Sequence, residues 1–579
     1  MRRVRNGSLA LLLSAMLAAA PLWGCADGST RPAAQSESSA PPAEFPEQLS
    51  AEGQASLRAM VQAGNLPDLR WPDFSDYTKL VQKFYDSYGY TLPWIRAMEP
   101  SRQARQVIAV LLSADEKGLS AEDYDGPRWQ DRFARLKPAT AQPSEADALR
   151  FDAALTICLM RYISDVHIGK VNPKHFAFGF DVEAKKYDLP EFLKENVTES
   201  SDAAGALAQV EPPYPGYQRT VQALHKYLEM AKQSDGKPLP PASKTIAPGD
   251  AYAGVGQLAK FLQAVGDLPG NASLPGDAAV YDGALVDAVK NFQRRHGRTP
   301  DGRIDAQTLT DLNVPLAARV RQMQLTLERW RWIPVGLHSA PIVANIPEFR
   351  VRAYDENYKV ALSMNVVVGK AYRHTTPVFL DSMQYVIFRP YWSVPYSIAK
   401  GEILPHLASD PDYLAKKGFE VVNSRQKVVT SGTVSGDVLE QLRGGKLFIR
   451  EKPGPKNSLG LAKFIFPNNF DVYMHDSPEH ELFSKSRRDF SHGCVRLERP
   501  ADMAVWVLRN NPGWDLEHVR AAMNGDSTLQ VNLAHPIPVL IVYGTAIVPE
   551  DGQVYFFDDI YGYDADLEKV LEKGYPYPG

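Results

Sequence analysis

The chain has 579 residues, with 64 Lys plus Arg against 68 Asp plus Glu, a net charge of -4. That balance excludes the global basic field that a nucleic-acid partner requires, and 44% hydrophobic with 23% charged residues is an ordinary composition for a soluble globular protein. At roughly 100 to 200 residues per domain, the length predicts three or more domains.

Arg2, Arg3 and Arg5 precede the apolar run LALLLSAMLAAAPLW, a charged-then-apolar layout that reads as a secretory signal and is too short to favour a spanning helix. The chain is expected to be exported. The run ends in Leu22-Trp23-Gly24-Cys25, which resembles the lipobox of bacterial lipoproteins and would make Cys25 the lipidated N-terminus; the plainer reading is cleavage near Ala26 with Cys25 discarded. No other apolar run is long enough to cross a bilayer, so membrane attachment is expected through lipid. Residues 26–49 begin with a Ser-, Pro- and Ala-rich stretch and read as a flexible tether.

From 50 to 230 the pattern is mostly helical, with QVIAVLLSADEKGLS and ALRFDAALTICLMRYISDVHIG carrying apolar residues at helical spacing. This predicts a scaffold, and Cys158 inside it reads as a buried, inert thiol. Residues 231–250 are a linker by composition. In 251–315, Leu285, Ala288, Val289 and Phe292 share one helical face, and TPDGRIDAQTLTDLN adds a turn and a second short helix. The pieces AVKNFQRRHG, DGRID and TLTDLNVP resemble the small helical peptidoglycan-binding domain found beside many cell-wall enzymes; a plain bundle that binds nothing is the alternative.

After LERWRWIP the periodicity turns to strands in PIVANIPEFRVRAYD, ALSMNVVVGK and QYVIFRPYWSVP. Residues 401–450 are more polar and partly helical, and predict an insertion that caps a cleft. Strands resume at NSLGLAKFIFP and FDVYMHD, and the β domain is placed at 340–546, with a hairpin through Asp551-Gly552 and a tail over 547–579. The expected class is multidomain α+β.

Cys494 lies in SHGCVRL, one of three cysteines in the chain. An acyl-transfer thiol needs a base or a positive field, because little thiolate exists at neutral pH. His475, 19 residues earlier at a strand end, and His492, two residues earlier on the same extended face, both qualify, and spacing does not choose between them. A disulfide from Cys158 to Cys494 also stays open, although an odd thiol in a His-Gly-Cys context fits a reactive cysteine better.

HDSP followed by SHGCVRL resembles the active-site signature of the L,D-transpeptidases with a YkuD-type catalytic domain, and MNVVVGK, YWSVP, VYMHDSP and IYGYD extend the likeness to the large periplasmic subgroup. The resemblance implies a helical scaffold, a peptidoglycan-binding unit and a β-rich catalytic domain with a capping insertion. It makes Cys494 the nucleophile and His475 its base, with the Asp476 carbonyl orienting the imidazole and main-chain N–H groups near Gly493 and Cys494 receiving the oxyanion. Ser491, His492, Arg496, Tyr473 and Trp392 would line the substrate site; the plainer readings are an Arg496–Glu498 surface pair and β-core packing for the two aromatics. Gly493 is expected to allow close approach to the thiol.

The implied reaction acylates Cys494 with one stem peptide, releases D-alanine, and passes the acyl group to a second stem, crosslinking third residues with no metal, ATP or organic cofactor. Water as acceptor would give an L,D-carboxypeptidase. The implied partners are stem peptides, glycan, a membrane reached through the lipid anchor and other cell-wall synthases, in the periplasm at the outer or inner membrane. Among rivals, Ser397 to Lys400 matches S-x-x-K, but so do Ser234 to Lys237 and Ser424 to Lys427, with no K-T-G following. His475, His480, His492 and Cys494 fit no usual zinc spacing. A non-catalytic wall-binding lipoprotein is the last alternative.

Overall fold

The computed structural model describes residues 46–137, 144–272, 279–337 and 340–577. Cys25, the signal segment and most of the tether lie outside them. No helix among the described residues is long and apolar enough to cross a membrane.

The N-terminal region is helical around α1 (Glu145–Ile168), which is buried on nearly all sides from Ala148 to His167. Such a helix must be central rather than amphipathic. Its neighbours supply Trp94, Trp129, Phe84 and Leu111 to one core. Cys158 is 1% exposed within it, and both described cysteines are free.

α2 (Pro215–Gln233), at the end of the expected scaffold, packs on α3 (Leu316–Trp332) and on the C-terminal hairpin through Tyr217, Leu224, Met323, Leu327 and Phe556. The expected linker 231–250 is likewise partly structural. Leu239 and Ile246 are buried in the core of the small module that follows, and Ile246 bridges Ile304. Pro- and Ser-rich composition hid those two apolar anchors. The module docks on the hairpin: Arg295 pairs with buried Asp267 and donates to the Val554 carbonyl at 2.6 Å, while Arg298 holds Asp311 and Asp558.

The C-terminal region is a nine-stranded mixed sheet whose ladder closes on itself. Its strands are β1 (Ile342–Asn345), β2 (Arg350–Tyr354), β3 (Val360–Gly369), β4 (Phe379–Phe388), β5 (Ala462–Ile465), β6 (Met474–His475), β7 (Asp489–Ser491), β8 (Val495–Leu497) and β9 (Leu529–Val542). The order is β7-β3-β8-β6-β5-β4-β9-β1-β2, with β2 returning to β3. Apolar alternation along β3, β4 and β9 fills the interior with Val366, Val368, Met383, Val386 and Val539, each fully buried. β9 starts seven residues before the predicted PIPVLIV strand, because a register shift between Asn532 and Ile537 lets it pass two prolines. Helices at Pro500–Val507 and Leu516–Asn524 were not anticipated from the sequence.

The capping segment is more ordered than its polar composition suggested. It has its own core, from Val394, Leu404, Leu414, Val421 and Ile449, and a four-stranded sheet joining Phe419–Val422, Val428–Thr430 and Phe448–Glu451 to Trp392–Ser393. The hairpin through Asp551-Gly552 is present, pairing Ala546 with Phe556 and Ile547 with Tyr555.

Candidate active site

β6 and β8 run parallel, with Met474 opposite Val495 and His475 opposite Arg496. Met474 and Val495 are fully buried on the inner face. Strand alternation therefore turns Tyr473, His475, Cys494 and Arg496 to the opposite face together. Val495 N–H donates to the Tyr473 carbonyl at 3.1 Å, which sets Cys494 beside Tyr473 and diagonal to His475.

His475 is buried, and its Nδ1 lies 2.5 Å from the Asp476 carbonyl oxygen. A carbonyl only accepts, so Nδ1 carries the hydrogen and the neutral ring keeps its other nitrogen as an acceptor. Burial, and next the Arg496 guanidinium, hold the imidazole pKa down to about 3. The Asp476 carboxylate fixes that chain segment, accepting from Leu461 N–H at 2.8 Å and Ser477 N–H at 2.7 Å. It fits because Gly460, at φ +61°, has no Cβ; one there would come within 2.3 Å of the carboxyl carbon.

The Cys494 thiol is partly open to solvent and faces the Asp471 carbonyl at 3.9 Å. Burial of the sulfur's surroundings raises its pKa, opposed by the Tyr473 main chain, Lys463, the Tyr473 hydroxyl and Arg496. Lys463 was not anticipated from the sequence. It sits opposite His475 across β5 and β6, with its ammonium 3.7 Å from the Tyr473 ring centre. The signal was there, since Lys463 alternates with buried Ala462 and Phe464, but a lone strand lysine reads as a solvent face.

Two expectations at the turn before the thiol are corrected. Ser491 is buried, and its hydroxyl donates to the Cys494 carbonyl at 2.6 Å while accepting from Gly493 N–H at 3.1 Å, so it shapes the turn instead of lining the substrate site. The Gly493 N–H is thereby occupied and is not open to an oxyanion. No partner of the Cys494 N–H is found among the described residues. Gly493 has φ +116°, and a Cβ there would meet nothing closer than 3.8 Å. Backbone conformation, rather than crowding, requires the glycine. Thr376 Oγ1 donates to its carbonyl at 2.7 Å, and Tyr561 of IYGYD braces the same corner through Gly369.

His492 Nε2 lies 2.7 Å from Glu402 of the capping segment, and its ring is 4.9 Å from His374. That geometry ties the cap to the turn and turns His492 away from the role of base. Arg496 pairs with Glu479, while Glu498 instead accepts from Asn365. The Arg496 Nε is buried without a partner among the described residues. Trp392 faces the Tyr473 hydroxyl from the edge of the cap sheet, so the two aromatics meet at the site and not in the β core. No group of three or more His, Cys, Asp or Glu placed to hold a metal occurs among the described residues.

A buried imidazole with one nitrogen committed, on the same face as a thiol flanked by N–H, hydroxyl and cationic groups, is an arrangement suited to acyl transfer. Residues 340–525 match the family described as "L,D-transpeptidase catalytic domain". The chain carries a YkuD-type L,D-transpeptidase catalytic domain. Residues 252–312 match a "Putative peptidoglycan binding domain" and residues 79–224 a "Scaffold domain". A "Putative L,D-transpeptidase" of Haemophilus influenzae is 27% identical over 247 residues, which cover 43% of this chain and 49% of that protein. The match thus spans about half the length of that relative. Two solved L,D-transpeptidase structures also match. The one from Xylanimonas cellulosilytica has 16% identity, covers 52% of this chain and 100% of its own, and has a TM-score of 0.16. The one from Stackebrandtia nassauensis has 12% identity, 52% and 97% coverage and a TM-score of 0.20.

Proposed function

We propose that the protein crosslinks the third residues of two peptidoglycan stem peptides through a thioester on Cys494. The reading is carried by one observation: the β6 and β8 register turns Cys494 and His475 to the same face, with Nδ1 of the imidazole held by a carbonyl. His475 takes the thiol proton as the sulfur attacks the carbonyl of the L,D-amide, and the Cys494 N–H receives the oxyanion. Collapse breaks the C–N bond, the proton passes to the leaving amine, and D-alanine departs. The side-chain amine of a second stem then attacks the thioester and regenerates the thiol. The amide cleaved supplies the energy of the amide formed.

Tyr473 and Trp392 form one wall of the donor site, and Arg496 draws the substrate's anionic groups to it. Export and lipidation at Cys25 would place the reaction in the periplasm at a membrane surface, within reach of other cell-wall synthases. The test incubates the protein lacking residues 1–25 with disaccharide-tetrapeptides, beside Cys494→Ala, and weighs the products. Dimers short of one D-alanine, from wild type alone, are expected. Tripeptide alone would make water the acceptor, and identical behaviour of the two proteins would sink the thioester.

A further inference from the structure

A cleft of about 770 Å³ lies between the small helical module and the transpeptidase domain. Arg294 and Arg298 line one wall; Arg350, Lys485, Arg487 and Arg488 line the other. The carboxylates in its lining are Glu348, Glu498 and Asp558, and each already has a partner: Arg352 holds Glu348, Asn365 donates to Glu498, and Arg298 holds Asp558. Arg487 is paired with Asp489 and Arg350 with Glu348, whereas Arg294 reaches only Asn291 among the described residues and Lys485 lies over the Phe490 ring. Arg488 is buried and, among the described residues, donates only to the carbonyls of Val366, Lys485 and Phe349 and to the Asn365 side chain. Its pKa is pulled down to about 10 by burial and by Arg350 beside it. In a chain of net charge -4, this is a local excess of positive potential, concentrated in a concave site.

The walls also have a bearing on the reaction. His480 and residues 483–488, which line the cleft, belong to the loop between His475 and Cys494. We propose that this cleft binds the free carboxylates of stem peptides along a glycan chain, holding the polymer against the loop that joins the two reactive residues. The proposal rests on peptidoglycan being the substrate, but not on the thioester step. A concave site between two modules suits a chain that threads it, whereas a flat anionic surface would meet only its rims.

The test uses Cys494→Ala, which removes turnover, and uncrosslinked glycan chains bearing tetrapeptide stems. Binding is compared with Arg294→Gln/Lys485→Gln in the same background, with chains whose carboxylates are amidated, and with phosphatidylglycerol vesicles. Both substituted side chains are exposed, so an unchanged melting temperature is the folding control, and Arg294→Lys/Lys485→Arg should restore binding. The expected result is affinity weaker by about tenfold in the double glutamine variant and by as much on amidation. Equal binding by both proteins, or indifference to amidation, overturns the proposal, and charge-dependent binding to the vesicles alone reassigns the cleft to a membrane. Failure of wild type to crosslink, with the charge-sensitive binding intact, would count against the thioester and leave the cleft standing.

Discussion

The two described cysteines show what separates a reactive thiol from an inert one. Cys158 sits on α1 at 1% exposure, and burial lifts its pKa far above the ordinary thiol value, with Arg132 and Arg161 opposing the shift but Asp125 and Asp68 reinforcing it. Cys494 suffers the same penalty, yet the Tyr473 main chain and hydroxyl, Lys463 and Arg496 all oppose it. Access of solvent to Cys494 and the polar groups turned toward its sulfur together distinguish the two. Iodoacetamide should sharpen this contrast most, labelling Cys494 in the native protein while Cys158 reacts only after unfolding. Mass analysis of peptides from native and denatured samples reads it directly, and native labelling of Cys158 would break it.

His475→Gln should show the next largest effect. Acylation of Cys494 by a β-lactam, followed as a mass increase, should slow by about a hundredfold or more when the base is lost. With its pKa near 3, the imidazole is neutral throughout the neutral range. The wild-type rate should therefore show no loss between pH 8 and pH 5 attributable to protonation of His475, and any fall as pH drops should follow thiol ionisation instead. A rate step centred near pH 6.5 would contradict this reading.

Lys463→Met tests the field rather than the proton transfer. Removing a cation near the sulfur disfavours the thiolate, so the thiol pKa should rise and alkylation at pH 8 should slow by roughly threefold to tenfold. The pH profile should shift upward without changing shape, which simple loss of packing would not produce. An unchanged profile would make Lys463 a packing residue for Tyr473.

Much of this site was legible because strand periodicity and the motif agree. VYMHD and CVRL each alternate in and out, and their register does the rest. The motif did not reveal the partners that come from elsewhere in the chain: Gly460 under the Asp476 carboxylate, Thr376 on the Gly493 carbonyl, and Glu402 on His492. Those contacts are long-range, and no local pattern encodes them. Ser491 was misread for a related reason, since a serine beside a reactive cysteine looks available until its hydroxyl is seen to be used twice within its own turn. The cap's short strands and the helix at Pro500–Val507 were missed because polar flanks and short length blur their period.

The scaffold offers the smallest but most separable effect, because its buried carboxylates titrate far from the active site. Burial raises Asp165 to about 7 from an ordinary 3.8, while the Tyr124 hydroxyl donates to it at 2.6 Å and that of Tyr575 also donates. The folded state thus holds a proton that the unfolded chain gives up above about pH 4. Stability from this group is complete below that pH and is lost as pH rises through about 7. Asp152, raised to about 7 by burial, behaves the same way. Asp165→Asn keeps an oxygen for both tyrosines and removes the titration. Its melting temperature should fall less between pH 5 and pH 8 than that of wild type, by a few degrees, leaving the slope that Asp152 supplies. Equal slopes would mean that Lys170, with the Tyr124 hydroxyl, stabilises the charged carboxylate enough to cancel its burial.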